Sequence, residues 1–323
     1  MNIPLLSVVI VNWNTQAWLA QCLRSLPSHN TAEEVTVWDT ENNGRYTNTT
    51  HPLTFEVFVV DNASTDGSRE MIKTDFPWVK LIANRENVGF ARANNQAIRQ
   101  SRGQYVLLLN SDTELHPGAL QELVRFMAQN PRAGAVGGYL LNSDASLQPS
   151  CSPMLTPGRE MWRLLFLDHI WQRATYPMTQ WDTVNPRRVE VIKGACMLLR
   201  HDALNEVGLL DEDYFFYTEE VDLCYRLAQA NWQLWYVPTA KITHFGGASS
   251  RQAAEAMYLQ LYRSKTRFYR KFGGKNYAKR FKLFTAIAYT PRFLLARTAA
   301  LVSQTWAVPA ATYQRLLLEL PQM

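Results

Sequence analysis

The chain has 323 residues, 47% of them hydrophobic, with 33 Lys and Arg against 28 Asp and Glu. That supports a packed core in one large domain or two small ones. Its four cysteines, Cys22, Cys151, Cys196 and Cys224, are widely spaced and form no CxxC, which argues against a zinc site or a disulfide scaffold and fits a reducing cytoplasm. The net charge of +5 is uneven: from Arg251 onward there are 13 Lys and Arg against 2 Asp and Glu, leaving 20 against 26 before it. A basic tail on an acidic body points to a surface that meets phosphates, on anionic lipid or nucleic acid.

Leu5 to Val11 reads as a core strand and not as a signal peptide. It ends in Asn12-Trp13-Asn14-Thr15, and a helix follows with Trp18, Leu19, Cys22, Leu23 and Leu26 at helical spacing, stopped by Pro27. Ser28 to Thr54 is polar and predicts an exposed insertion with a hairpin around Asn43-Gly44. Its sequon, Asn48-Thr49-Thr50, is assigned no meaning. Phe55 to Val60 is a second strand running into Asp61-Asn62-Ala63-Ser64-Thr65-Asp66-Gly67-Ser68. Asp61 stands at a strand's carboxyl end, where ligands of open α/β sheets sit, whereas Asp66 reads as a helix cap.

After a short strand, Val79 to Ile82, Asn87 and Gly89 precede a helix and suit a loop that approaches a ligand closely. Arg85 and Arg92 face either phosphate or solvent. The buried run Val106 to Leu109 then ends in Asn110-Ser111-Asp112. Asp112 either caps the next helix or holds a hard cation such as Mg²⁺ or Mn²⁺. The β-α alternation predicts an α/β fold, a mostly parallel sheet with helices on both faces. No GxGxxG follows the first strand, which removes the main support for a dinucleotide enzyme.

Gly134 to Leu141 is a further strand, and Asn142 to Pro186 reads as irregular, carrying Trp162, Trp171 and Trp181 as packing anchors or sugar-stacking platforms. Val189 to Leu199 is a strand interrupted at Gly194-Ala195, where glycine marks a close approach. The acids Glu219, Glu220 and Asp222 crowd the first turn of a helix. Either they complement its dipole or one is kept desolvated as a base. Pro238 and a short strand deliver His244 to a Gly-rich loop, where imidazole can complete a metal site. Ala253 to Lys271 is a basic helix. Phe281 to Gln304 is apolar but broken by charges and Pro291, too short of uncharged runs to span a bilayer. It is read as basic amphipathic helices lying on an anionic membrane, with ordinary packing against the body as the other reading.

The order of these motifs resembles the family 2 glycosyltransferases of the GT-A fold, and most nearly the rhamnosyltransferase-like members that build bacterial cell-surface polysaccharide. The resemblance rests on residues 7–14, 61–68, 87–91, 109–112 and 219–223, and covers roughly Pro4 to Ser250. It implies a catalytic domain over 1–250 and a helical region over 251–323. It also implies an inverting, metal-dependent transfer of a sugar, dTDP-rhamnose being the first donor to test, onto a saccharide or lipid-linked acceptor. Val11, Asn12, Trp13, Asn14, Asp61, Asn87, Asn110, Ser111 and Asp112 would form the nucleotide site, with Trp13 packed on the base and Asp61 bonded to base or ribose. Asn110-Ser111-Asp112 takes the DxD place with Asn first, so Asp112 alone would hold Mg²⁺ or Mn²⁺ directly, joined by His244. Glu220 falls at the catalytic base, where relatives often have Asp. Glu219, Asp222, Trp162 and Trp181 would serve the acceptor, and Gly194 and Ala195 the donor sugar.

The competing readings are a sugar-nucleotide pyrophosphorylase and a non-catalytic binding module. The first wants a Gly-rich basic loop where Asn12-Trp13-Asn14-Thr15 stands, and no nucleic-acid motif supports the second. The expected location is cytoplasmic, peripheral on the inner face of the plasma membrane.

Overall fold

The computed structural model describes residues 4–27, 34–40, 46–172, 174–247 and 250–323. β1 (Leu6–Asn12) and α1 (Gln16–Ser25) are followed by an antiparallel pair, β2 (Glu34–Thr40) and β3 (Tyr46–Pro52). Then come β4 (Phe55–Asp61), α2 (Ser68–Asp75), β5 (Lys80–Ala83), α3 (Phe90–Ile98) and β6 (Tyr105–Asn110). The chain continues through β7 (Thr113–Leu115), α4 (Ala119–Gln129), β8 (Ala133–Leu141), β9 (Leu147–Gln148), β10 (Cys151–Ser152) and α5 (Pro157–Leu164). It ends with β11 (Arg187–Arg188), β12 (Val191–Ile192), β13 (Cys196–Arg200), α6 (His201–Val207), α7 (Glu219–Gln229), β14 (Gln233–His244), α8 (Ala254–Ala300) and α9 (Ala307–Glu319).

The main sheet runs β11-β14-β8-β13-β6-β1-β4-β5, with β7 on β14 and β9 on β8. β5, β4, β1 and β6 are parallel, and β13 enters antiparallel between β6 and β8. Val8, Val9 and Ile10 are all fully buried because helices cover both faces, which is why β1 reads as an unbroken apolar run and not as an alternating one. On one face Val8, Ile10, Val59 and Leu107 join Leu19 and Leu23 of α1 and Leu123 and Val124 of α4 in one cluster. On the other, α3 packs on β1 and β4 through buried Ala91 and Ala97, small enough for close approach. This is the mostly parallel, two-faced α/β sheet that the sequence predicts.

The insertion carries the expected hairpin as β2 and β3, and its Asn43-Gly44 turn lies outside the described residues. One expectation needs correction. The stretch 142–186 is not simply irregular, because it holds β9, β10 and α5. Thr156 caps α5 by accepting the Arg159 N–H, and Pro157 fills the first turn. α8 continues through Pro291, and its non-helical residue is Gly274, at φ +72°.

Two compact units result. The sheet unit comprises Met1–Ser152, Pro177–Phe215 and Glu219–Gln252. The helical unit comprises Pro153–Tyr176, Phe216–Thr218 and Ala253–Met323, so α5 groups with the C-terminal helices. Its interior holds Tyr262, Phe268, Tyr269 and Phe281 around an ion pair, Lys265 to Glu160 at 2.8 Å, with Arg163 on the same carboxylate oxygen. Burial works against both ions, and their mutual attraction is what keeps them charged: it draws Glu160 below its ordinary range, while desolvation still leaves Lys265 below its own.

Candidate active site

The first wall of the site is the loop after β1. Asn12 is fully buried, its Nδ2 donating to Asp61 Oδ1 and to Ser64 Oγ, both at 3.0 Å, and its Oδ1 accepting the Thr15 hydroxyl at 2.6 Å. Asp61 is also fully buried, and its Oδ2 accepts from Arg69 Nε at 2.5 Å and from the Ser64 N–H at 3.1 Å. A buried carboxylate requires such pairing. Asp61 and Asn12 therefore point into the loop and brace it. Val11, Trp13 and Asn14 are the half-buried members of this wall. Asn14 sits at φ +51°, with Oδ1 accepting the Thr65 N–H at 2.8 Å. Asp66 was expected to cap α2, but Gly67 takes the cap position; Asp66, one residue earlier, accepts the Ser68 N–H on one oxygen and the Gln16 N–H on the other.

The loop before α3 forms a second wall. Asn87 Oδ1 accepts the Gly89 N–H at 3.0 Å, and the Phe90 N–H donates to the Phe215 carbonyl at 2.7 Å. Gly89 has φ +87°, and a Cβ there would lie 2.6 Å from that carbonyl oxygen. Only glycine meets both demands. Arg92 is taken by Glu212 at 3.4 Å.

At the carboxyl end of β6, Ser111 and Asp112 are buried, and Ser111 Oγ lies 2.9 Å from Thr15 Oγ1. The chain turns at once into β7, which pairs with β14 so that Thr113 stands opposite His244. The Phe245 N–H donates to the Asp112 carbonyl at 3.0 Å. This places His244 Nε2 3.3 Å from Asp112 Oδ1 and equally far from Asn110 Nδ2. Two donors bound side by side to one octahedral ion at about 2.1 Å lie roughly 3 Å apart, so the pair fits a divalent cation. No cluster of three or more His, Cys, Asp or Glu with metal-binding geometry occurs among the described residues. Such an ion would take its remaining ligands from substrate phosphates and water.

The Asn110 N–H donates to the Ala195 carbonyl at 3.0 Å, and a Cβ on Gly194 would sit 3.7 Å from Glu220 Cβ. Gly194-Ala195 thus lies between the Asp112–His244 pair and the start of α7, which opens directly after two residues of positive φ, Tyr217 and Thr218. Glu219 is buried and Glu220 half-buried. Burial, and secondarily the neighbouring Glu220, push the Glu219 carboxyl well above its ordinary range. Lys193 lies within charge range of Glu220. Asp222 is fully buried, bonded to Arg226 Nε at 2.6 Å and to the Tyr214 hydroxyl at 3.2 Å.

Trp181 stacks edge-on against Tyr236, with Arg187 over its ring. Trp162 belongs to the helical unit, where its indole N–H donates to the Trp171 carbonyl at 2.8 Å. Sequence reasoning missed Arg69, Phe215 and Gln148. Arg69 was within reach as a basic residue in the first turn of α2, whereas nothing local in the sequence marks the other two.

The profile of the family described as "Glycosyl transferase family 2" matches residues 7–208. The chain is 33% identical over 202 residues to an N-acetylglucosaminyl-diphospho-decaprenol L-rhamnosyltransferase of Mycobacterium tuberculosis, covering 58% of this chain and 66% of that one. It is 28% identical over 180 residues to the low-salt glycan biosynthesis hexosyltransferase Agl10 of Haloferax volcanii, covering 54% of each. The matches therefore span just under two thirds and about half of these relatives' lengths. A crystal structure of GalNAc-T7 with UDP, GalNAc and Mn²⁺ superposes with a TM-score of 0.51 at 18% identity, over 83% of this chain and 50% of that one. This last likeness concerns the fold alone.

Proposed function

The chain belongs to glycosyl transferase family 2, and from that premise we propose that it moves a sugar from a nucleoside diphosphate to an acceptor hydroxyl with inversion, using a divalent cation. The observation that carries this reading is the approach of Asp112 Oδ1 to His244 Nε2, 3.3 Å, at the ends of β6 and β14. Bound there, Mg²⁺ or Mn²⁺ would neutralise charge developing on the departing diphosphate. Trp13, Val11 and Asn14, half-buried, form the part of the β1 loop on which the nucleotide would rest. Glu220 accepts the proton of the attacking hydroxyl. Gly194 and Ala195, with little side chain, leave room for the sugar between the cation pair and the base.

The donor sugar proposed first is rhamnose, carried by dTDP, and the acceptor a lipid-linked saccharide. Both rest on likeness to the mycobacterial relative, whose name specifies a rhamnosyl transfer to a decaprenol-linked sugar. We place the protein peripherally on the inner face of the plasma membrane. No helix among the described residues is long and apolar enough to cross a membrane. The helical unit nevertheless exposes Phe166, Ile170, Trp171, Leu295, Leu301, Val302 and Trp306, alongside the basic excess of the C-terminal region. Apolar side chains amid Lys and Arg match an anionic lipid surface.

The test is turnover and binding across a panel of nucleotide sugars, with Mn²⁺, Mg²⁺ or chelator. Metal-dependent transfer from one donor, lost in Glu220→Gln with donor binding kept, is the expected result. A panel with no turnover and no nucleoside diphosphate binding would refute the catalytic reading.

A further inference from the structure

Gln148 ends β9, which folds back on β8 through a tight turn at Asn142–Ser146 and sets Gln148 opposite Leu140. From there its side chain reaches His244 on β14. Gln148 Nε2 donates to the His244 main-chain carbonyl at 3.0 Å and to Asn142 Oδ1 at 2.8 Å, while Gln148 Oε1 lies 2.6 Å from His244 Nδ1. A main-chain carbonyl only accepts, so the nitrogen of the Gln148 amide must be the atom facing it. Asn142 agrees: its own Nδ2 donates to Ser146 Oγ at 2.9 Å, leaving its oxygen to accept from Gln148. The Gln148 oxygen is therefore turned to the imidazole, and an amide oxygen cannot donate. Nδ1 must carry the hydrogen, and the neutral ring keeps its lone pair on Nε2. Asn110 Nδ2, a donor 3.3 Å away, is matched to that lone pair.

We propose that Gln148 is a positioning residue that locks His244 in the Nδ1–H tautomer and so presents Nε2 as a ligand beside Asp112. This rests on the metal-dependent reading above. Hydrogen bonds to the far nitrogen of a ligating histidine fix its tautomer, turn its ring and raise its basicity. Gln148 is well placed for this because it grips both ends of the residue, ring and carbonyl, and so sets the ring's orientation relative to the strand.

The experiment is NMR of the full chain with ¹⁵N-labelled histidine, the His244 signals assigned with His244→Gln. In the metal-free protein, above the pH at which the ring titrates, the ring is expected in the Nδ1–H form, and in Gln148→Leu it shifts toward Nε2–H. Mn²⁺ alone is then titrated in, and paramagnetic broadening of the His244 signals is followed. The midpoint should rise by roughly ten- to a hundred-fold in Gln148→Leu. An Nε2–H ring in the wild type, or equal midpoints for wild type and Gln148→Leu, would overturn the role of Gln148 alone. No broadening of His244 in the wild type would overturn the metal-dependent reading and this inference with it.

Discussion

Gly89 and Gly118 have nearly the same φ, +87° and +81°, and very different surroundings. A Cβ on Gly89 would lie 2.6 Å from the Phe215 carbonyl oxygen and 2.8 Å from its ring, while one on Gly118 meets nothing within 4 Å. Gly118→Ala should therefore cost only the left-handed backbone, about 1 kcal/mol. Gly89 combines its φ with ψ of 168°, a region almost confined to glycine, and placing alanine there costs about 1–3 kcal/mol. The Phe215 carbonyl must also retreat, weakening the 2.7 Å bond from the Phe90 N–H, a further loss of about 1 kcal/mol. Gly89→Ala is thus expected to cost about 2–4 kcal/mol, at least twice the control. All the residues involved belong to the sheet unit, so the assay is urea unfolding of that unit for both variants, with a midpoint lower by about 1 M or more for Gly89→Ala. Nucleotide binding should weaken in the same variant, because Asn87 is braced on the displaced N–H. Equal losses in the two variants would refute the close approach of Phe215.

Glu219→Gln should stabilise the fold at neutral pH. Burial and Glu220 raise the folded carboxyl above its unfolded value, so the unfolded chain ionises first as pH climbs past the ordinary value of 4.5. The rise in Tm over wild type is expected at pH 8 and absent below pH 4.5, and a constant difference would refute it. Lys265→Met should cost about 3 kcal/mol, the low end for a broken buried pair because Arg163 stays on Glu160. Glu160→Gln in the same chain should restore most of it, as read by thermal unfolding of the helical unit. Phe166→Ser with Ile170→Ser, at positions 60% and 85% exposed, should leave folding intact and cut partition onto phosphatidylglycerol vesicles by about tenfold or more. Unchanged partition would remove this segment from the proposed membrane surface.

The fold was legible where the chemistry is continuous along the chain. Val8, Val9 and Ile10 announce a strand buried on both faces, and the acids and amides that end β1, β4 and β6 mark the carboxyl edge of the sheet. What stayed hidden depends on partners distant in sequence. Asp61 shows a charge but not the Asn12 and Ser64 that enclose it. Asp222 was assigned to an acceptor although Arg226, four residues on, is its natural helical partner. Thr156-Pro157 carries the signature of a helix start, a cap residue followed by Pro in the first turn, obscured by the short, Pro-rich surroundings of α5. Gln148 reaches His244 across 96 residues, through a register that only the folded sheet defines.

The ion pair of Glu160 and Lys265 joins residues 105 positions apart. The helical unit it stabilises is assembled from three separate stretches of the chain. The C-terminal helices are therefore not a tail that can be cut away. A chain ended after Arg251 would keep α5 with its apolar face bare and Glu160 without Lys265. During synthesis α5 must likewise wait, exposed, until α8 has left the ribosome. Non-local closure of this kind is slow and gives chaperones a window on the nascent chain. Questions of attachment are thus better put to single side chains on the intact protein than to truncated forms. In the cell, a premature stop before Lys265 is expected to yield a protein that is degraded, not one that is merely detached.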